Sequence, residues 1–283
     1  MVSAGHVSFA QVAFMGIGAY TTALLTKELH WTFWSCLPLS GFVAASVALP
    51  LGYITLRIKG VYFIVATFAL GEVIRLVWIE WSSLFKGPGG IPDIPLPSPI
   101  FGWEFGSASS FYYLILCLLI FTMFAMYGLD RSRFGMTLLT FEQAEDLAES
   151  VGINAMKYKV IAFVIASFFA GITGAFYATF HHYISPDDFS LTQSLYVVVY
   201  TAIGGTGSLY GPVVGCFTLI LLPALLHYVP GYEPVLEPLI YGSILIIILL
   251  LLPAGLVSLG ELVFPWARKL RDTTGGGGQH ATT

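Results

Sequence analysis

The run SLYVVVYTAIGGTGSLYGPVVGCFTLILL, residues 194–222, carries no charged side chain and is apolar on both sides of a glycine-rich centre. That centre, GGTGSLYGP at 204–212, places four glycines and a proline where a hydrophobic helix would otherwise be continuous. Helix is hard to sustain through such a stretch. Two short helices meeting at a loop inside a membrane are therefore expected. Irregular backbone survives at that depth only when it is buried in protein or lines a wet cavity.

The rest of the chain agrees with a membrane setting. Further apolar segments lie at about 7–26, 34–56, 60–80, 111–129, 160–182 and 238–258, joining 193–204 and 211–229 on either side of the break. With 57% hydrophobic and 10% charged residues and a mean hydropathy of +0.82, the 283-residue chain falls outside the soluble class. A crossing helix needs about 20 mostly apolar residues. The expected fold is an all-α polytopic bundle of about eight membrane segments, counting the broken pair. One membrane domain over 1–272 and a flexible glycine-rich tail at 273–283 account for the chain. No basic region precedes the first apolar stretch, so no cleavable signal peptide is expected. The cysteines Cys36, Cys117 and Cys216 each sit in an apolar run without metal-ligand spacing and read as packing residues.

Basic residues orient the spans. Arg57 and Lys59, then Arg131, Arg133, Lys157 and Lys159, then Arg268, Lys269 and Arg271 form three patches that alternate with the segments. The loops 81–110, 183–192 and 230–237 hold only Lys86. The positive-inside rule makes the three patches, and the C-terminus, cytoplasmic.

The cytoplasmic loop 130–159 contains an acidic run, TFEQAEDLAESVGIN at 140–154. Thr140 with Gln143 reads as a capping box, and Gly152 as a left-handed C-terminal turn. Phe141, Ala144, Leu147, Ala148 and Val151 make an apolar stripe, while Glu142, Glu145, Asp146 and Glu149 take the other side. A solvated connecting helix is one reading. A lipid-surface helix would carry Lys and Arg instead. An apolar stripe beside carboxylates suits docking into a groove with a basic rim on another protein.

Gly135, Glu145, Ala148, the GIN at 152–154 and AFVIASFFAGITGAFYA at 162–178 resemble the cytoplasmic loop and following span of the branched-chain amino-acid permease family. SFAQVAFMGIGAYTTALL (8–25), RIKGVYFIVATFALGEVIRL (57–76), ISPDDFSLTQS (184–194), AIGGTGSLYGPVVG (202–215) and PAGL (253–256) look like that family too, in its order. The likeness is to its LivM-like branch. It implies a permease subunit of an ATP-driven (ABC) importer in a bacterial or archaeal inner membrane. The implied partners are a second, related permease, two ATPase subunits, an extracytoplasmic solute-binding protein and membrane lipid. Phe141, Glu142, Glu145, Ala148 and Gly152 would then couple the chain to an ATPase, with ATP and Mg bound on that partner and no cofactor here. The chain departs from the family at Met136, Leu139 and Glu142, where arginines are usual. It also opens almost on SFAQVAF, where the family has at least one earlier span, so a short form or a late start is expected.

A substrate pathway has two candidate regions. The broken segment offers Gly204, Gly205 and Gly207, with Ser194 and Tyr200 before it. Its exposed backbone groups could line a polar path, or its small residues could serve close helix packing. No Lys-Ser/Thr follows the glycines, so nucleotide binding there is excluded. Glu72 and Arg75 lie three residues apart, expected near the inner half of their span, as a packing salt bridge or a part of the gate. Asp187, Asp188, Glu233 and Glu237 stand in outer loops with no bases nearby. Adjacent His181 and His182 would point apart on a helix, so no metal site is expected. No nucleophile–base arrangement or nucleic-acid footprint is present. The expected function is transport by alternating access of branched-chain or other hydrophobic amino acids, not an enzymatic reaction. The alternatives are urea, short amides or organic acids as cargo, or an ATP-independent channel or carrier.

Overall fold

A computed structural model describes residues 8–58, 60–99, 108–150, 154–205, 208–226, 242–243 and 256, with backbone only at 108, 142–150 and 222–226. The described residues are almost wholly helical: α1 Gln11–Glu28, α2 Phe33–Thr55, α3 Val61–Glu80, the single turn α4 Ser82–Phe85, α5 Ala108–Asp130, α6 Arg133–Ser150, α7 Ala155–His181, α8 Leu191–Gly204 and α9 Gly211–Leu226. Four of them, α2, α3, α5 and α7, are long and apolar enough to cross a membrane. The chain is an all-α, multi-pass membrane protein. The expected segment at 238–258 lies outside the described residues save 242, 243 and 256.

Compact packing divides the chain into one unit through Tyr196 and a second from Val197. In the first unit, α1 and α2 each lie against α7 over most of their length. Small residues permit this. A Cβ added at Gly18 would collide with the Gly171 backbone, and one at Gly174 with the Met15 carbonyl and Ala19. Gly171 in turn fits between Ala44 and the Ser40 carbonyl of α2. Without a hydrophobic drive between helices in lipid, such close backbone approach is a main source of association. Phe14 meets Phe163 edge-on, with centroids 5.3 Å apart. The hydroxyls of Thr22, Thr26, Ser167 and Thr179 are buried in this packing, and each donates to a carbonyl one turn earlier. These four hydroxyls need no partner from lipid, whereas the buried Tyr20 hydroxyl has no hydrogen-bond partner among the described residues. By contrast, among the described side chains of α5 only Phe111 is buried, and Tyr112, Ile120, Phe121 and Phe124 are exposed.

The segments after α3 and α7 meet. Ile91–Pro92 (β1) pairs antiparallel with Tyr183–Ile184 (β2), Ile91 facing Ile184. Lys27 at the end of α1 donates from Nζ to the Pro92 carbonyl at 2.7 Å. The ends of α1, α3 and α7 therefore share one side, opposite the α2–α3 corner, as the alternation of basic patches requires.

The acidic run is longer than expected. Its helix starts at Arg133, so Thr140 is mid-helix, donating its hydroxyl to the Met136 carbonyl, and is not an N-cap. Ser132 stands at the start instead, accepting from the Gly135 amide at 3.3 Å. A Cβ at Gly135 would strike the Leu129 and Asp130 carbonyls, so only glycine fits the α5–α6 corner. The next span starts at Ala155, not near 160, with Asn154 accepting from the Lys157 amide. Helix-permissive MTLLT at 136–140 carries α6 backward, and the Asn154 cap carries α7 forward.

Candidate functional site

Three segments converge on the β1–β2 side of the first unit. Glu72 and Arg75 occupy one face of α3, separated by three residues and hence stacked on the helix. They belong to the half of α3 nearest the β1–β2 side, not to the inner half expected from sequence. At 1.5 Å per residue, Glu72 stands roughly 17 Å along the helix from Val61. Arg75 donates to Glu72 Oε1 from Nε at 2.8 Å and from Nη2 at 2.6 Å. Its Nη1 donates to Asp187 Oδ1 at 2.9 Å, 112 residues away in the chain. Asp187, expected to have no base nearby, thus has one. It sits in the 3-10 turn Pro186–Phe189, where Asp188 accepts from both the amide and the hydroxyl of Ser185. That turn leads directly into α8.

Glu72 remains one-third exposed at its side chain, against 22% for Arg75 and 81% for Asp187. What it faces is a crevice, large enough for about one water-sized group. Phe9, Phe68, Gly71, Glu72, Leu191 and Ser194 line it. The structure so brings together three of the predicted pathway residues, Glu72, Arg75 and Ser194. Ser194 is buried, and its hydroxyl donates to the Ser190 carbonyl at 3.5 Å.

The glycine break belongs to the second unit. Gly204 ends α8, and Gly205 has φ of +112°, a conformation that favours glycine. A Cβ at Gly204 would meet the Gly211 carbonyl, and one at Gly215 the Tyr200 carbonyl. These glycines let α8 and α9 touch backbone to backbone. The Leu256 amide donates to Ile203 O at 2.8 Å, taking one of the carbonyls that a helix end leaves open. Gly207 lies outside the described residues.

On the other side, α6 is held to α7 by aromatic contacts. Tyr158 stacks on Phe134 at 5.5 Å and meets Phe141 at 5.8 Å. Phe141, expected on a docking stripe, is 4% exposed and packs on Ala155 and Tyr158. Among the described side chains of α6, the exposed apolar ones are Met136 and Leu139. Glu142, Glu145 and Ala148 lie on the helical backbone of α6, while Gly152 lies outside the described residues. Asp187 and Phe9 were not legible as neighbours of Glu72, because each comes from a segment distant in sequence, and Gly71 beside it carried no signal of its own. Among the described residues, no cluster of His, Cys, Asp or Glu could hold a metal ion.

A family model described as a branched-chain amino acid transport system permease component matches residues 1–251. The permease protein LivM of the high-affinity branched-chain amino acid transport system of Salmonella typhimurium is 29% identical over 269 residues, covering 87% of this chain and 62% of its own. A probable LivM permease of Methanocaldococcus jannaschii is 22% identical over 241 residues, covering 81% and 68%. The LivH permease of Escherichia coli is 26% identical over 282 residues, covering 91% and 87%. This chain thus spans 62% of the length of the Salmonella LivM protein that it matches. No solved structure matches.

Proposed function

This chain belongs to the branched-chain amino acid transport permease family, and we propose that it is one membrane subunit of an ATP-driven importer for branched-chain or other hydrophobic amino acids. The observation that carries this reading is α6. It is an 18-residue helix between two spans, braced on α7 by Phe134 and Phe141, with Met136 and Leu139 turned outward. A helix braced on a span that also exposes apolar side chains can dock on a partner and transmit a push, which an ATP-independent channel would not need. ATP is bound and hydrolysed on separate ATPase subunits, and α6 is their cytoplasmic contact. A second permease related to LivH completes the pathway, and a solute-binding protein delivers cargo to the β1–β2 side. The mechanism is alternating access, in which closure of the ATPases moves α6 and the spans behind it.

The likeness in name of LivM and LivH to branched-chain amino acid transport supports the cargo class. Co-purification tests the assembly. Expressed with the neighbouring permease and ATPase genes, the chain is expected to bring the ATPases through a mild-detergent column. Met136→Asp with Leu139→Asp, and separately Glu145→Lys, should each lower ATPase recovery about tenfold, roughly 1.4 kcal/mol of association. Full recovery from both variants would remove α6 from the docking surface. A chain that purifies alone and moves solute without ATP would end the importer reading.

A further inference from the structure

We propose that the crevice beside Glu72 is a subsite for a primary ammonium group, the cationic head of an aliphatic amino acid; the choice of an amino acid rests on the transport function proposed above. The polar lining offers acceptors. Both guanidinium bonds from Arg75 end on Glu72 Oε1, so Oε2 has no hydrogen-bond partner among the described residues. The Phe9 carbonyl oxygen lies 3.9 Å from where a Gly71 Cβ would stand. The Ser194 proton is directed to the Ser190 carbonyl, which leaves the hydroxyl its lone pairs. No Lys or Arg lines the crevice, and Arg75 is shared between two carboxylates. One cation against Glu72 and Asp187 leaves one negative charge in excess.

Among the side chains that line this space only the Ser194 hydroxyl can donate, and it is directed to the Ser190 carbonyl, so an entering carboxylate would meet no free side-chain donor. An ammonium, with three donors and no acceptor, matches it. It also matches in size, since the space admits about one water-sized group. Phe68 and Leu191 supply apolar wall for an aliphatic chain.

Gly71 gives independent support. Its backbone has no left-handed φ, and a Cβ there would meet nothing nearer than Ala13 Cβ at 3.8 Å. It contrasts with Gly18, Gly171 and Gly174, where an added Cβ would press into a neighbouring helix. Neither backbone nor packing demands glycine at 71. What its missing side chain does is keep this crevice open.

Equilibrium dialysis of the full chain in detergent, with 3-methylbutylamine, L-leucine and 4-methylpentanoate as probes, tests the subsite. The amine and leucine are expected to bind and the acid is not. Glu72→Gln should weaken the amine tenfold or more. Gly71→Ala, which leaves every ion pair intact and whose Cβ has room, should weaken binding tenfold or more while the melting temperature stays near that of the parent, and it keeps the test valid if Glu72→Gln misfolds. No amine binding to the parent, or equal binding in both variants, overturns the proposal. Uptake by the assembled transporter separates the two readings. Glu72-dependent amine binding without leucine uptake upholds the subsite and fails the proposed cargo. Leucine uptake at the parent rate in both variants fails the subsite and upholds the cargo.

Discussion

At the scale of single residues, glycines divide into those that neighbours require and those that neighbours ignore. Gly18 is of the first kind, with the Gly171 backbone where its Cβ would go. Replacing it by alanine must push α1 from α7 and should destabilise by about 2 kcal/mol, as overpacked cores do. Gly71→Ala should instead be neutral or stabilising by about 0.5 kcal/mol, since its Cβ has room and alanine is the better helix former. Thermal unfolding of both variants in one detergent checks the contrast. A drop of similar size in both would mean that Gly71 is a packing glycine after all. Sequence alone showed all these glycines as one undifferentiated pattern, because the distinction depends on which helix stands opposite. For the same reason Glu72 and Arg75 were legible as a pair but their third member was not. Asp187 reaches Arg75 only because α7 carries the chain back to the side where α3 ends.

Among the elements, α6 departs furthest from its expected form. Its acidic and apolar residues were readable as a helix. Its start was misplaced by eight residues, from a cap at Thr140 to one at Ser132, since Thr140 has the chemistry of a cap and only the corner at Gly135 shows that the turn was made earlier. The stripe was also mistaken in direction at Phe141, which had a partner inside the chain in Tyr158. Phe141→Ala should cost about 3 kcal/mol, near the lower range for a buried phenylalanine. Met136→Ala, at 62% exposure, should stay within about 0.5 kcal/mol. Trypsin cleavage after Arg131 or Arg133 gives a second readout, faster in Phe141→Ala and unchanged in Met136→Ala. Equal cleavage in the two would mean that Phe141 does not anchor α6. The break between α8 and α9, by contrast, was legible in its place along the chain, because Gly-Gly ends one helix and Gly-Pro opens the next.

For the molecule as a whole, the alternation of basic patches assigns each loop a side, and cysteine labelling reads this out. With the three native cysteines replaced, Asp93→Cys should react with a membrane-impermeant maleimide on intact cells. Thr137→Cys should react only after the membrane is opened. The reverse pattern would invert the orientation of α6 and of the proposed ATPase contact. Native Cys36 is fully buried and Cys117 faces outward midway along α5, so the first should resist any maleimide and the second only water-soluble ones.

The ladder that joins the two outer segments has a property of its own. Pro92 has no amide hydrogen to give, and it forms one of the two rungs. A passing strand from another molecule would find a broken row of donors there, and the edge is two residues long. The clasp is therefore self-limiting: it can close the fold without inviting a neighbour to extend the sheet, a safeguard against aggregation at a membrane surface crowded with copies of the same chain.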